Sequence, residues 1–326
     1  MLAVVKRLLI ASLVWLAAGC SIDPPGESLP PSDPRLLGVS FFYRQDEFYK
    51  DLESGVRDAA AALGYRLLVT DAETQVVKQS SQVDHFIHRR VAGMILCSAD
   101  PNGIVPAIGR ANRAGIPVVT LDGSANGGRV VCHVGHDNRA CGRAAGAYLV
   151  DQVRRRPGEL RTVILDYPQS AVVCAARVEG FKEAVTAEPR IRILAQQSGE
   201  ANRVASLRAM SALLQAHARI DAVFGINDDT VLGAMAAAQR AGRLEEIRFV
   251  SCSWSSEIFQ LLERPSSIGA AVVTSPYHMA STAVLRLVEH LQGKKVPDRV
   301  LVAPSVYTHE NIRELDWRSV VKKRLQ

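Results

Sequence analysis

Short apolar runs alternate with amphipathic stretches along most of this chain. LLGVSFF (36–42) is a compact, β-branched run of strand length. Asp46 to Leu63 then carries Phe48, Leu52, Val56, Ala59 and Leu63 at helical spacing, and Gly64 follows at a C-cap position. YRLLVTDA predicts the next strand, and residues 74–90 a helix with Val76, Val83, Phe86 and Ile87 on one side. VAGMILCSA reads as a strand, Ile104–Ala114 as a helix stopped by Gly115, and IPVVTLDG as a strand again. This βαβαβαβ rhythm is that of a parallel sheet with crossover helices on both faces.

The rhythm restarts after residue 137. Helices are predicted over Arg139–Val153, Ala175–Ala187, Ala201–His217 and Asp228–Ala241, and between them stand the strands RTVILDY, RILAQQS, DAVFGIN and IRFVSCS. GAAVVTSP (269–276) is a further strand, Tyr277–Leu291 a helix, and RVLVAPSVYTHENI an extended tail. The fold class is therefore α/β, with two doubly wound parallel-sheet lobes joined by several crossings. Crossings are expected near 136–138, 253–256 and 274–276. Residues 35–136 with 275–303 form the N-terminal lobe, and residues 137–274 with 304–326 the C-terminal lobe.

The first thirty residues follow a different pattern. Lys6 and Arg7 precede the apolar run Leu8–Ala18, which is short for a bilayer span. LAAGC then puts small residues just before Cys20, as in a bacterial lipobox. Residues 1–20 read as a lipoprotein signal peptide with Cys20 as the lipidated residue. SIDPPGESLPPSDP (21–34) reads as a disordered tether to a membrane-held anchor.

The formal net charge is +6, with 39 Lys and Arg against 33 Asp and Glu. The basic residues are scattered and lack interleaved aromatics, so nucleic-acid binding is not indicated. With Cys20 set aside, five irregularly spaced cysteines remain among the six of the chain. They make no disulfide framework, leave room for one bridge, and read best as small buried hydrophobes. CHVGHDNRAC (132–141) looks like a metal motif. However, Cys132 and His133 are neighbours in a strand and face opposite ways, while Cys141 falls on the apolar face of the next helix. No metal or cofactor is expected.

Open α/β sheets bind ligands at the carboxyl ends of their strands. The first strand is followed by RQDEF rather than a glycine-rich phosphate loop, and no nucleophile elbow or HExxH occurs. No acid–base pair is evident, so the chain is not read as an enzyme. The strand ends instead collect Asp46, Asp122 and Asn227, whose oxygens suit hydroxyl pairs, and Phe48, Tyr49, Trp254 and Tyr277, whose flat faces suit a ring. Two acidic groups disfavour an anionic ligand.

GVSFFYRQDEFYKDLESGVRDAAAALGY, AGMILCSADPNGI, AGIPVVTLD, HVGHDNRACGRAAGAYL, RVEGFKEA, DAVFGINDDTVLGAM and the terminal VYTHENI carry a resemblance. In order and spacing, residues 36–312 resemble the periplasmic sugar-binding proteins of the ribose-binding type, the type I solute-binding proteins of ABC importers. The resemblance implies a sugar or similar polyol held between the lobes of a monomer. The partner would be a transporter permease, or alternatively a sensor kinase or chemoreceptor that reads lobe closure. It implies ligand contacts mainly at Asp46, Phe48, Tyr49, Asp122, His136 and Asn227, and the strand ends add Ser98, Ser253, Trp254 and Thr274. The second lobe departs from the family pattern. Ala175 stands at the usual arginine contact, with Arg177 matching a neighbouring arginine. Ser253 replaces an aspartate and Thr274 a Gln or Asn, and no phenylalanine lies near Ala201. Another polyol, a nucleoside-like molecule or a sugar derivative fits this set as well as a pentose or hexose.

Overall fold

The structure, a computed structural model, describes residues 33–168 and 171–316. The segment read as a signal peptide, Cys20 and most of the segment read as a tether lie outside the described residues. No helix among the described residues is long and apolar enough to cross a membrane.

The first half runs β1 (Asp33–Phe41), α1 (Glu47–Ala62), β2 (Arg66–Asp71), α2 (Val76–His88), β3 (Val91–Leu96), α3 (Val105–Arg113), β4 (Val118–Leu121) and β5 (Cys132–His136). The second runs α4 (Asn138–Arg154), β6 (Leu160–Asp166), α5 (Ala171–Thr186), β7 (Ile191–Ser198), α6 (Arg203–Ala216), β8 (Ala222–Gly225), α7 (Asp228–Arg240), β9 (Arg248–Cys252), α8 (Ser256–Leu262) and β10 (Ile268–Val273). α9 (Pro276–Leu291), β11 (Arg299–Val302) and β12 (Ser305–Tyr307) complete the fold. One six-stranded sheet has the order β11-β5-β4-β3-β1-β2 and the other β12-β10-β9-β8-β6-β7. All pairings are parallel except that of β12 with β10.

The strand period of two produces the double layer. Leu37, Val39 and Phe41 of β1 pack on one face with Leu52 and Val56 of α1 and Met279 and Val284 of α9. Leu36 points the other way, into a cluster with Phe86 of α2 and Ile108 of α3. β6 does the same in the second lobe, with Val163 and Leu165 on one face and Ile164 on the other. Each such fully buried aliphatic side chain contributes about 1.5–3 kcal/mol.

The chain crosses between lobes at 136–138, 273–276 and 302–305, where β5 leads to α4, β10 to α9, and β11 to β12. The expected crossing at 253–256 is not one. Ser255 caps α8, whose Ile258, Phe259 and Leu262 pack back into the core of the same lobe. β1 also begins at Asp33, two residues inside the segment read as tether.

Backbone contact sets the position of α5. A Cβ at Gly142 of α4 would lie 1.8 Å from the Arg177 carbonyl oxygen, and one at Gly180 would lie 2.0 Å from that of Arg139. Only paired glycines let α4 and α5 approach this closely, and the approach carries Arg177 toward the interlobe cleft.

Candidate functional site

The carboxyl ends of the two sheets face each other across a cavity of about 360 Å³, within the usual range for small-molecule sites. Asp46, Phe48, Tyr49, Asp122 and His136 line it from the N-terminal lobe. Asn227, Ser253, Trp254 and Thr274 line it from the C-terminal lobe or its crossing. Ser98 lies outside it. It opens on a neighbouring recess that shares Tyr49, Asp122 and His136, and its buried Oγ has no hydrogen-bond partner. Tyr277 also stays away from the cavity, because its hydroxyl donates to Asp58 Oδ2 of α1 at 2.9 Å.

The N-terminal wall is a connected group. Asp46 caps α1, its Oδ1 accepting the Tyr49 backbone N–H at 2.9 Å. Capping fixes the first turn of α1 and with it the directions of Phe48 and Tyr49. The Tyr49 hydroxyl donates to Asp122 Oδ2 at 3.1 Å, and His136 Nε2 lies 3.4 Å from Asp122 Oδ1. Asp122 itself has a φ of +61°, a left-handed turn at the end of β4 that aims its carboxylate along the cleft. Phe48 stacks on the His136 ring at 5.3 Å with 26° between planes, and Tyr49 meets Phe48 edge-on at 5.2 Å. Phe48 also packs against the hydrophobic cores of both lobes.

Burial alone would raise the Asp122 carboxyl. The hydrogen bonds of His136 and Tyr49, and the charge of Arg177, outweigh burial and hold it below the usual carboxylate range. Burial instead pushes the Asp46 carboxyl up, and burial with the Asp122 charge raises the Tyr49 phenol well above its ordinary value. His136 Nδ1 is buried and has no hydrogen-bond partner, although its ring borders the cavity.

The C-terminal wall has more of its polar groups engaged. Asn227 caps α7 through the Thr230 backbone N–H at 3.0 Å and donates from Nδ2 to the Ala201 carbonyl at 3.1 Å. Ser253 is hydrogen-bonded to Ser251. Thr274 Oγ1 lies 3.6 Å from Cys141 Sγ. Asp228 accepts the Trp254 backbone N–H at 3.0 Å and the Ser255 hydroxyl at 2.8 Å, and burial raises its carboxyl. Trp254 stands edge-on to Phe259 at 5.5 Å, and its Nε1 reaches Asp51 Oδ2 on α1 at 2.5 Å.

Six lining residues were not among the predicted contacts: Arg177, Asp228, Cys141, Cys252, Val173 and Val272. Arg177 is held by the Ile226 carbonyl at 2.7 Å and Asn138 Oδ1 at 2.9 Å. It supplies a cation to the second lobe even though Ala175 replaces the arginine expected two residues earlier. Cys141 is buried on the apolar side of α4, as its spacing indicates, yet it also borders the cavity. His136 and Cys132 belong to no metal-ligand cluster, and none is found among the described residues.

Residues 37–295 match a family described as the periplasmic binding protein domain. The ribose import binding protein of Bacillus subtilis is 28% identical over 304 residues, covering 92% of this chain and 96% of that protein. A solute-binding protein of Actinobacillus succinogenes solved with bound D-allose superposes with a TM-score of 0.79 at 20% identity, covering 86% of this chain and 99% of that one. The Caulobacter myo-inositol binding protein, solved with myo-inositol, superposes with a TM-score of 0.77 at 23% identity, covering 89% and 98%.

Proposed function

The chain belongs to the periplasmic binding protein domain family, and on that premise we propose that it is an extracytoplasmic receptor for a neutral polyhydroxylated ligand. A sugar or cyclitol would be captured between the lobes and delivered to an ABC importer. The observation that carries this reading is the joint lining of one cavity. The Tyr49–Asp122–His136 group and the Phe48 ring on one lobe face Arg177, Ser253 and Thr274 on the other.

A carboxylate held ionised in a buried site is a strong acceptor for ligand hydroxyls. Arg177 supplies donors from the opposite wall. The Phe48 face suits the C–H side of a ring. The named ligands of the similar proteins, ribose, D-allose and myo-inositol, share this hydroxyl-rich, uncharged chemistry. Because hydroxyls replace stronger groups at Ser253 and Thr274, a cyclitol or sugar derivative suits the second lobe as well as ribose. Ligand bound across the cleft favours the closed lobes, and a permease would read that state. The sequence around Cys20 supports tethering to a membrane surface through a lipid.

Thermal melts against a panel of pentoses, hexoses, cyclitols and nucleosides test the reading. A matching ligand at about 100 times its Kd adds about 2.7 kcal/mol to folded-state stability. Asp122→Ala should abolish that shift while the protein stays folded. A normal fold with no shift from any panel member rejects the proposal.

A further inference from the structure

The end of the N-terminal lobe remote from the cleft has no part in ligand capture. There α1, α2, α3 and α9 finish, and the parallel strands of the first sheet begin. Two adjoining recesses, which share Gly115, open on this end. Arg35 and Arg90 line one, and Arg129, Lys294 and Lys295 line the other. All five residues are exposed, and none has a carboxylate partner within salt-bridge distance among the described residues. Arg35 instead lies over the Tyr65 ring at 5.2 Å and donates to the Leu63 carbonyl at 3.3 Å. The acids that line the two recesses are Asp33, which pairs with Arg66, and Asp298. Arg89 and Arg113, exposed at the ends of α2 and α3, add to the positive side.

These cations are far apart in sequence, and the fold gathers them. Basic residues at helix C-termini complement the helix dipole. That effect does not require them to stand without acids, as the C-terminal lobe shows. The recess at its equivalent end carries Glu159, Asp221, Glu245 and Glu246 beside its arginines. Glu188 holds Arg154 and Arg190 there, and Asp221 holds Arg219 at 2.7 Å. One end of the molecule is thus neutralised from within, and the other is left cationic.

We infer that the cationic end of the N-terminal lobe is a docking surface for an anionic phospholipid bilayer, which holds the lobe against the membrane with the cleft turned away from the lipid. Charge complementarity selects the partner, since clustered Lys and Arg without internal acids attract lipid phosphates. The direction of the chain agrees with it. β1 begins at Asp33 on this same face, so a chain held at Cys20 keeps the face within about 40 Å of its anchor. The cleft lies at the opposite ends of the strands, and its ligand contacts stay clear of the surface.

The anchor rests on the tethering reading above, whereas the contact of this face with lipid does not depend on what the cleft binds. The full chain, purified in detergent, is reconstituted with vesicles of phosphatidylcholine alone or mixed with phosphatidylglycerol. A water-soluble acylating reagent is added, and the modified lysines are mapped by mass. Lys294 and Lys295 should react about tenfold more slowly on the anionic vesicles and recover in about 1 M salt, where the screening length is about 3 Å. Lys50, exposed in the first turn of α1 at the cleft end, should react equally on both. Arg90→Gln with Arg129→Gln keeps the lysines and lies outside the cleft. It should largely remove the difference, since each basic residue near an anionic surface strengthens association about fivefold, and should leave the sugar-dependent melts unchanged. Equal reactivity of Lys294 and Lys295 on the two vesicles overturns the inference. Slowing on both vesicles, or slowing that survives salt, overturns it too, because something other than anionic lipid would then cover the face. A chain that washes off phosphatidylcholine vesicles removes the tethering reading, and the lysines on phosphatidylglycerol alone then decide the inference.

Discussion

Asp51 and Trp254 lie on different lobes and are joined through the indole N–H, which donates to Asp51 Oδ2 at 2.5 Å. Asp51 is completely buried on α1, and Trp254 is 7% exposed beyond the end of β9. The contact exists only while the lobes are closed. Opening must separate a buried carboxylate from a donor that belongs to the other lobe. A hydrogen bond to a charged group contributes about 1.5–3 kcal/mol.

Trp254→Phe retains an aromatic ring and removes the N–H. The closed-to-open ratio should fall by about tenfold or more, since every 1.4 kcal/mol is a factor of ten. Small-angle scattering of the ligand-free protein should show a larger radius of gyration, and ligand affinity should weaken in proportion to the lost closed fraction. Identical scattering and affinity in the variant would show that the contact has no influence on closure.

A second cross-lobe contact lies one turn earlier on α1. Glu47 accepts the Ser256 backbone N–H at 2.8 Å and the Ser256 hydroxyl at 2.7 Å. A helix of one lobe thus places a carboxylate at the first turn of a helix in the other, where the dipole favours negative charge. Glu47→Ala should weaken ligand binding by about 1 kcal/mol, the typical effect of losing a helix cap. Since both contacts stabilise the same closed state, a double-mutant cycle with Trp254→Phe should give a coupling of at least about 0.5 kcal/mol. Strictly additive effects on Kd would separate the two contacts.

The strand rhythm was legible where a buried strand is a short apolar run followed within three residues by a charged or amide side chain, as β1 by Arg44, β4 by Asp122 and β8 by Asn227. The lobe crossings were harder to place. β9 and β10 both end in apolar residues and are followed by a capping serine, Ser255 or Ser275, so their exits look alike locally. What distinguishes them is non-local: α8 packs on its own lobe, while α9 packs on α1 of the other. α8 itself has seven residues, two turns, which is too few to show a helical period. Spacing alone gives Arg177 no place in the cleft, because its entry depends on the close approach of α4 and α5 at Gly142 and Gly180, which lies in three dimensions.

Asp122 predicts an acid limit with a definite sign. Its carboxyl is lowered in the folded protein by His136 and Tyr49, which overcome the effect of burial. Such a group adds stability that is fully present above the unfolded carboxylate value, about pH 4, and is lost as pH falls through the lower folded value. Asp46 and Asp228 are raised by burial and shift the opposite way, so the wild-type curve alone mixes the signs. The difference between wild type and Asp122→Asn isolates the group. That difference in melting temperature should be constant from pH 7 to about 5 and shrink below about pH 4. A gap that widens on acidification would contradict the assigned environment of Asp122.

Gly142 tests whether the α4–α5 contact is what delivers Arg177 and Cys141 to the cavity. An added Cβ would meet the Arg177 carbonyl oxygen at 1.8 Å, so one helix must move. The obstacle is backbone, which cannot rotate aside as a flexible side chain would. Gly142→Ala should therefore destabilise the fold by about 1–3 kcal/mol, the usual effect of overpacking. The shift should also displace Arg177 from the Ile226 carbonyl and from Asn138, which hold it at 2.7 and 2.9 Å. Affinity should consequently fall by more than in Gly109→Ala, where the nearest atom to an added Cβ is an arginine side-chain nitrogen at 3.6 Å. Urea unfolding and ligand titration of the two variants check both parts. Equal stability for Gly142→Ala and wild type would mean that the helices can separate without cost, and the packing account of the Arg177 position would fail.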